Sequence, residues 1–186
     1  IKHIATARSN NSQIECKVHP ALVNKKNILS KIDGVMNAVK IIGDKFGTSM
    51  LYGHGAGGAA TASAVVSNII DYCIHLDRKV KVKSDYLSSG SRELVDIQNI
   101  SNQYYLRMFA NDVPGVMADI TSTLAKHEIS IEAVTQHEPF ENEKLIPVVM
   151  ITNSVRYKDI LSAINKIETM DNIIGDVNLI RVFNDD

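Results

Sequence analysis

The chain has 186 residues, 45% of them hydrophobic and 22% charged, with a formal net charge of −1. That length holds one domain or two small ones, and a near-neutral balance excludes a general electrostatic pull toward nucleic acid or anionic lipid. Cys16 and Cys73 make no ladder of spacings, so the sequence predicts no disulfide framework and a reducing, cytoplasmic compartment.

The opening Ile1-Lys2-His3-Ile4-Ala5 has neither an initiator Met nor a signal-peptide layout, and reads as the start of a piece of a longer protein. Residues 1–52 read as short strands and turns. Ile14, Cys16 and Val18 alternate with polar residues, as a half-buried strand would. Ala38 to Ile42 is a short apolar run closed by the turn signal Gly43-Asp44. Then Gly53-His54-Gly55-Ala56-Gly57-Gly58 runs into small residues and on into Val65-Val66. Glycines let a backbone turn sharply and approach a ligand closely. Residues 59–76 read as a helix, with Val65, Val66, Ile69, Ile70, Cys73 and Ile74 at helical spacing and Cys73 as a small core residue. Such a junction is either a packing turn or a neighbour for a nucleotide at a helix start. It is not the dinucleotide fingerprint, because Asp71 and Asp77 fall near the required distance but along the same helix. With no run of about 18 uncharged apolar residues, no membrane span is expected.

The basic run from Arg78 to Lys83 reads as a phosphate patch or a solvated linker. Flanking Asp77 and Asp85, and Ser88-Ser89-Gly90-Ser91 after it, favour the linker. From Gln103 the pattern changes. Tyr104 to Ala110 alternates as a strand, Asn111-Asp112-Val113-Pro114-Gly115 is a turn, and Met117 to His127 is a helix. Ile129, Ile131 and Ala133 alternate in a second strand. Phe140 to Lys144 reads as a hairpin-like loop and Leu145 to Thr152 as a central strand. Asn153 or Ser154 is expected to cap a helix running to about Met170, with Val177 to Phe183 as the last strand. Strand-helix-strand-strand-helix-strand is a ferredoxin-like sandwich. RNA-recognition modules share it but stack bases on aromatics of two central strands, and Leu145 to Thr152 has none.

In the turn Asp112-Val113-Pro114-Gly115-Val116, Pro114 fixes one backbone angle and Gly115 allows close approach. The free amides of the helix start suit a ligand carboxylate, and Asp112 suits a ligand ammonium. Ser130 and Ile131 would form the opposite wall. The plainer alternative is that Asp112 only caps the helix. The six histidines show no paired ligand spacing, so no metal site is expected.

Three words, Val18-His19-Pro20-Ala21-Leu22-Val23, Gly34-Val35-Met36-Asn37-Ala38-Val39 and Gly43-Asp44, precede the glycine loop. Together with Tyr52-Gly53-x-Gly55-Ala56-Gly57-x-x-x-Thr61-Ala62-Ser63, they resemble the end of the catalytic region of homoserine dehydrogenases. That family usually has Pro where Ala60 stands and Asp where Asn68 stands. The Asp112–Met117 turn, with Tyr104-Tyr105-Leu106-Arg107 before it and Ile129-Ser130-Ile131-Glu132 after it, resembles an ACT domain, a fold that binds amino acids or mediates assembly.

The resemblance implies an α+β chain with three parts. Residues 1–76 would belong to a mixed sheet-plus-helix dehydrogenase dimerisation domain, 77–101 to a linker, and 102–186 to a βαββαβ ACT domain. It implies a parent that reduces aspartate semialdehyde to homoserine with NADP or NAD, and a homodimer or higher homo-oligomer. The implied effector is an amino acid, threonine, bound near Asp112, Pro114, Gly115, Val116, Ser130 and Ile131. Gly57, and after it Gly55, are the implied cofactor contacts. The catalytic residues and nucleotide fingerprint would lie earlier in the parent, leaving none here. The alternative is a non-catalytic ACT module of another amino-acid enzyme, against which the block from His19 to Val66 counts.

Overall fold

The computed structural model describes residues 1–9, 12–78, 92–136 and 145–185. It divides into two compact units, residues 1–24 with 92–186, and residues 25–91.

The first unit is built on one eight-stranded sheet. Strand β1 (Lys2–Ser9) pairs antiparallel with β2 (Gln13–Val23), bringing Ala5 opposite Val18 and Ala7 opposite Cys16. After the second unit, β5 (Glu93–Leu94) returns to pair with the start of β2, and β6 (Ser101–Asn111) follows. Helix α2 (Val116–Lys126), β7 (Ile131–Gln136), β8 (Leu145–Thr152), the two-residue β9 (Val155–Arg156), α3 (Tyr157–Glu168) and β10 (Ile173–Phe183) complete it. The order across the sheet is β1-β2-β10-β6-β8-β7. Its last four strands are the expected ferredoxin-like arrangement. The β1–β2 hairpin is added through a parallel pairing, with Ala21 opposite Arg181 and Val23 opposite Phe183.

Period-two and period-3.6 patterns meet in one core. Tyr104, Leu106, Met108 and Ala110 of β6 and Val148 and Met150 of β8 point to one face. Val116, Ile120 and Leu124 of α2 and Ile160, Ala163, Ile164 and Ile167 of α3 cover it. The fully buried Thr152 is satisfied: its hydroxyl accepts from the Tyr104 amide (3.1 Å) and donates to the Asn153 carbonyl (2.8 Å). Burying each large apolar side chain of this set contributes about 1.5–3 kcal/mol.

The second unit holds a hairpin and a helix. In its first turn Asn27 caps a short 3-10 helix, Ile28–Lys31, by accepting from the Leu29 amide at 2.9 Å. Strands β3 (Met36–Gly43) and β4 (Gly47–His54) pair antiparallel around a turn that ends at Gly47, whose φ is +72°. Helix α1 (Gly58–Arg78) follows. This unit has apolar residues but little core. Val39, Ile41 and Leu51 of the hairpin and Val65, Val66, Ile69, Ile70 and Leu76 of the helix are all exposed.

Several expectations are corrected. Cys16 and Val18 of β2 lie on the open side of the hairpin, Val18 at 68% exposure, while the polar alternates Glu15, Lys17 and His19 turn inward. Period two sets which residues share a face, not which face is covered. Cys73 is exposed rather than a core residue, because nothing in its own unit covers α1. Asn153 and Ser154 do not cap α3. Arg156 precedes it, and Arg156 Nε lies 2.6 Å from Asp159 Oδ2. The first and last strands of the sandwich are each longer than expected, and β10 is broken by an irregularity between Ile174 and Asn178 with Gly175 at φ +75°. Residues 58–76 of α1 are long and apolar enough to cross a membrane by length and composition alone. Asp71 interrupts the run without removing that property. Lys79 to Ser91, with most of the basic run, and His137 to Lys144, with the hairpin-like loop, lie outside the described residues.

Ile120 is fully buried between α2 and the sheet. Ile120→Ala is expected to lower the stability of this unit by about 2–5 kcal/mol. Urea unfolding followed by near-UV tyrosine circular dichroism, which reads the buried Tyr104, measures it.

Candidate ligand sites in the two units

In the first unit the turn after β6 is organised by its backbone. Gly115 has φ +99° and ψ −23°, a left-handed conformation that favours glycine. It stands directly before α2, and its carbonyl accepts from the Asp119 amide at 3.0 Å, opening the helical ladder. The amides of Val116, Met117 and Ala118 therefore have no partner within the helix. No side chain caps this end, so the alternative in which Asp112 serves only as the cap is not what the structure shows. Asp112, Pro114 and Gly115 are exposed, whereas the Val116 side chain is buried in the core. Val116 thus offers its amide and not its side chain.

Ser130 and Ile131 are elsewhere. Ser130 is pinned to the turn after β8: its amide donates to Asn153 Oδ1 (3.1 Å) and its carbonyl accepts from the Asn153 amide (2.9 Å). Ile131 is opposite Thr152, while Asn111, next to Asp112, is opposite Leu145. Those two levels are the length of β8 apart, roughly 20–25 Å at about 3.3 Å per residue. The expectation that Ser130 and Ile131 form the opposite wall of one site with Asp112 is corrected. In a β-α-β unit the helix carries the chain back, so the second strand starts at the far end of the sheet from the first turn. Sequence reasoning missed Asn153, the residue that holds Ser130 in place. Its reading as a helix cap hid that role.

In the second unit, the glycine cluster is less of a loop than the sequence suggests. Gly53 and His54 still belong to β4. The Gly55 amide donates to the Val35 carbonyl at 2.9 Å. The side chain of Asn37, on β3, lies against Gly55 so closely that a Cβ there would stand 1.9 Å from its Nδ2. Gly57 has φ +117°, and its carbonyl accepts the first helical bond of α1, from the Thr61 amide at 3.0 Å. The first turn of α1 carries no acidic residue. Gly55 is thus packed against Asn37, while Gly57 stands in open space directly before α1, whose first free amides suit an electron-rich group.

His19, from the first of the resemblance words, is 6% exposed on β2. Its Nδ1 lies 3.2 Å from the Pro20 carbonyl oxygen. Burial holds the ring below the ordinary pKa of 6.5. The Pro20 carbonyl opposes that shift, and the neighbouring Arg181, Lys17 and His3 add to it. Among the described residues no group of three or more His, Cys, Asp or Glu side chains is placed to hold a metal.

Comparison with known proteins agrees with both halves. The homoserine dehydrogenase family profile matches residues 1–70 and the ACT domain profile residues 104–169. The homoserine dehydrogenase of Pseudomonas aeruginosa is 35% identical over 98% of this chain, and that of Helicobacter pylori 34% identical over 99%. In both cases the chain spans 43% of the relative's length. The crystal structure of a homoserine dehydrogenase from Thiobacillus denitrificans superposes with a TM-score of 0.81 at 34% identity, covering 96% of this chain and 41% of that one.

Because the folded chain binds the His19 proton less readily than the unfolded chain does, stability is expected to fall as pH drops below about 6.5. Melting temperatures between pH 7.5 and 5.5 should decline more steeply for the wild type than for His19→Gln. Parallel declines would mean that His19 is not the group responsible. Residues 1–70 of the chain thus match the homoserine dehydrogenase family, and residues 104–169 match the ACT domain.

Proposed function

We propose that the chain is the C-terminal portion of an NAD(P)-dependent homoserine dehydrogenase, interconverting aspartate semialdehyde and homoserine, whose ACT domain senses threonine. The observation that carries this is continuity: one relative matches 98% of the chain, through both units, without a change of partner family. In this reading the start of α1, with Gly57 and then Gly55 as contacts, faces the nicotinamide end of NADP or NAD. The protein's part there is positioning, not chemistry. The exposed apolar side of α1 packs on the remainder of the dehydrogenase, and the Val39–Leu51 face of the hairpin packs on a second copy. Inclusion of α1 as far as residue 70 in the dehydrogenase match, together with Asn68, Asp71 and His75 along it, favours a protein neighbour over a bilayer.

The ACT reading requires two copies. Asp112 and the amides after Gly115 supply groups for the ammonium and carboxylate of an amino acid. Ser130 and Ile131, at the other end of the same sheet, complete a site only when supplied by a second domain. Effector and active site would then be linked by a coupling free energy of about 1–3 kcal/mol. The chain by itself is expected not to oxidise homoserine with NADP.

L-threonine at about 100 times its dissociation constant should add roughly 2.7 kcal/mol to the folded state. The test is thermal unfolding with threonine and with serine, isoleucine, methionine and lysine as controls. A threonine-selective rise in Tm, lost in Asp112→Ala, is the expected outcome. No rise with any amino acid would reduce the ACT domain to an assembly element.

A further inference from the structure

The strand that carries the second half of the proposed amino-acid site does not start on a regular ladder. Ile131 of β7 is opposite Thr152 and Ala133 is opposite Ile151, so two steps along β7 meet one step along β8. Glu132 is the extra residue of a β-bulge. A bulge interrupts the ladder and re-aims the side chains beside it. Ser130 and Ile131 stand beyond this one, so the β7–β8 ladder does not by itself fix their position.

Side chains from two other elements do. Asn153, in the turn after β8, grips Ser130 on both backbone groups. Its Oδ1 accepts from the Ser130 amide (3.1 Å), and its own amide donates to the Ser130 carbonyl (2.9 Å). Asn153 is held in turn by the core: its carbonyl accepts from the Thr152 hydroxyl, which accepts from the Tyr104 amide. On the bulge, the Gln103 carboxamide of β6 donates to the Glu132 carboxylate and accepts from Asn184 Nδ2 at 3.2 Å. With both backbone groups spent on Asn153, Ser130 has its exposed side chain left to present. The direction of that side chain is set by a residue outside its own strand.

We propose that Asn153 is a positioning residue of the amino-acid site. It acts through Ser130, in the copy opposite the one that supplies Asp112, and touches no ligand itself. This rests on the two-copy reading given above. Within one chain Asn153 is at the far end of the sheet from Asp112, so it reaches the site only across the contact between copies.

Titration calorimetry of L-threonine into the full chain tests it. Asn153→Ala is expected to weaken threonine about fivefold or more, the effect of releasing one hydrogen bond. Asn153→Asp, whose carboxylate still accepts from the Ser130 amide, should restore the affinity. Amide hydrogen exchange without ligand gives a second readout: Ser130 should exchange slowly in the wild type and in Asn153→Asp, and fast in Asn153→Ala. Co-refolding Asp112→Ala with Asn153→Ala should return one site of wild-type affinity per mixed pair, because one chain then supplies Asp112 and the other Asn153. A chain that had merely failed to fold could not supply Asp112 to that site. Wild-type binding that Asn153→Ala leaves untouched overturns the proposal and leaves the site reading standing. Equal exchange of Ser130 in all three chains, or no restored site in mixed pairs, overturns it as well. No binding of threonine or of the control amino acids by the wild type removes the site reading and the proposal with it.

Discussion

The parallel pairing of β2 with β10 is the contact on which the arrangement of this chain depends. It joins Ala21, Leu22 and Val23 to Arg181, Val182 and Phe183, and so makes residues 1–24 part of the sheet that carries the ACT strands. Without it the hairpin would have only the two-residue β5 beside it, little more than a two-stranded ribbon, a structure marginal by itself in water. With it, the inward residues of β2 are drawn beside the ends of β6 and β10. That is why the polar alternates Lys17 and His19 end up enclosed while Val18 and Cys16 do not.

The two units obey different rules. The first follows the usual logic of a layered domain: one sheet face, two helices and a closed core, in which the buried Thr152 hydroxyl both accepts and donates a hydrogen bond. The second has regular elements without a core of their own. An amphipathic helix gains most of its stability from packing, and a surface carrying so many contiguous exposed apolar groups marks an interaction site. The proposed dehydrogenase supplies covering partners for both apolar surfaces.

Much of this was legible in the sequence. The pattern from Tyr104 to Phe183 gave the sandwich because each element buries one clean stripe against one core. Leu145 to Thr152 agrees residue for residue with β8. The glycine words located Gly55 and Gly57, and the structure shows why each is glycine, the one for lack of room beside Asn37 and the other for its positive φ. What was not legible needed information from far along the chain or from another chain. Alternation in β2 gave a strand but not its buried side, since that depends on β10. Cys73 looked like core because periodicity reports a face, not a neighbour. Ser130 was grouped with Asp112 because both flank the same helix. The direction of that helix separates them by the length of a strand.

The β2–β10 pairing also has a consequence for how the chain comes together during synthesis. Its two members lie at opposite extremes of the sequence, with the whole second unit and most of the sandwich between them. Closing a loop of that size is slow, because its entropy must be lost before any contact forms. During synthesis β1 and β2 emerge well before β10 and must wait, with one edge unpaired, until that strand follows. An unpaired edge is a template for pairing with other chains. The last strand therefore decides, for the first two, whether they finish inside their own molecule.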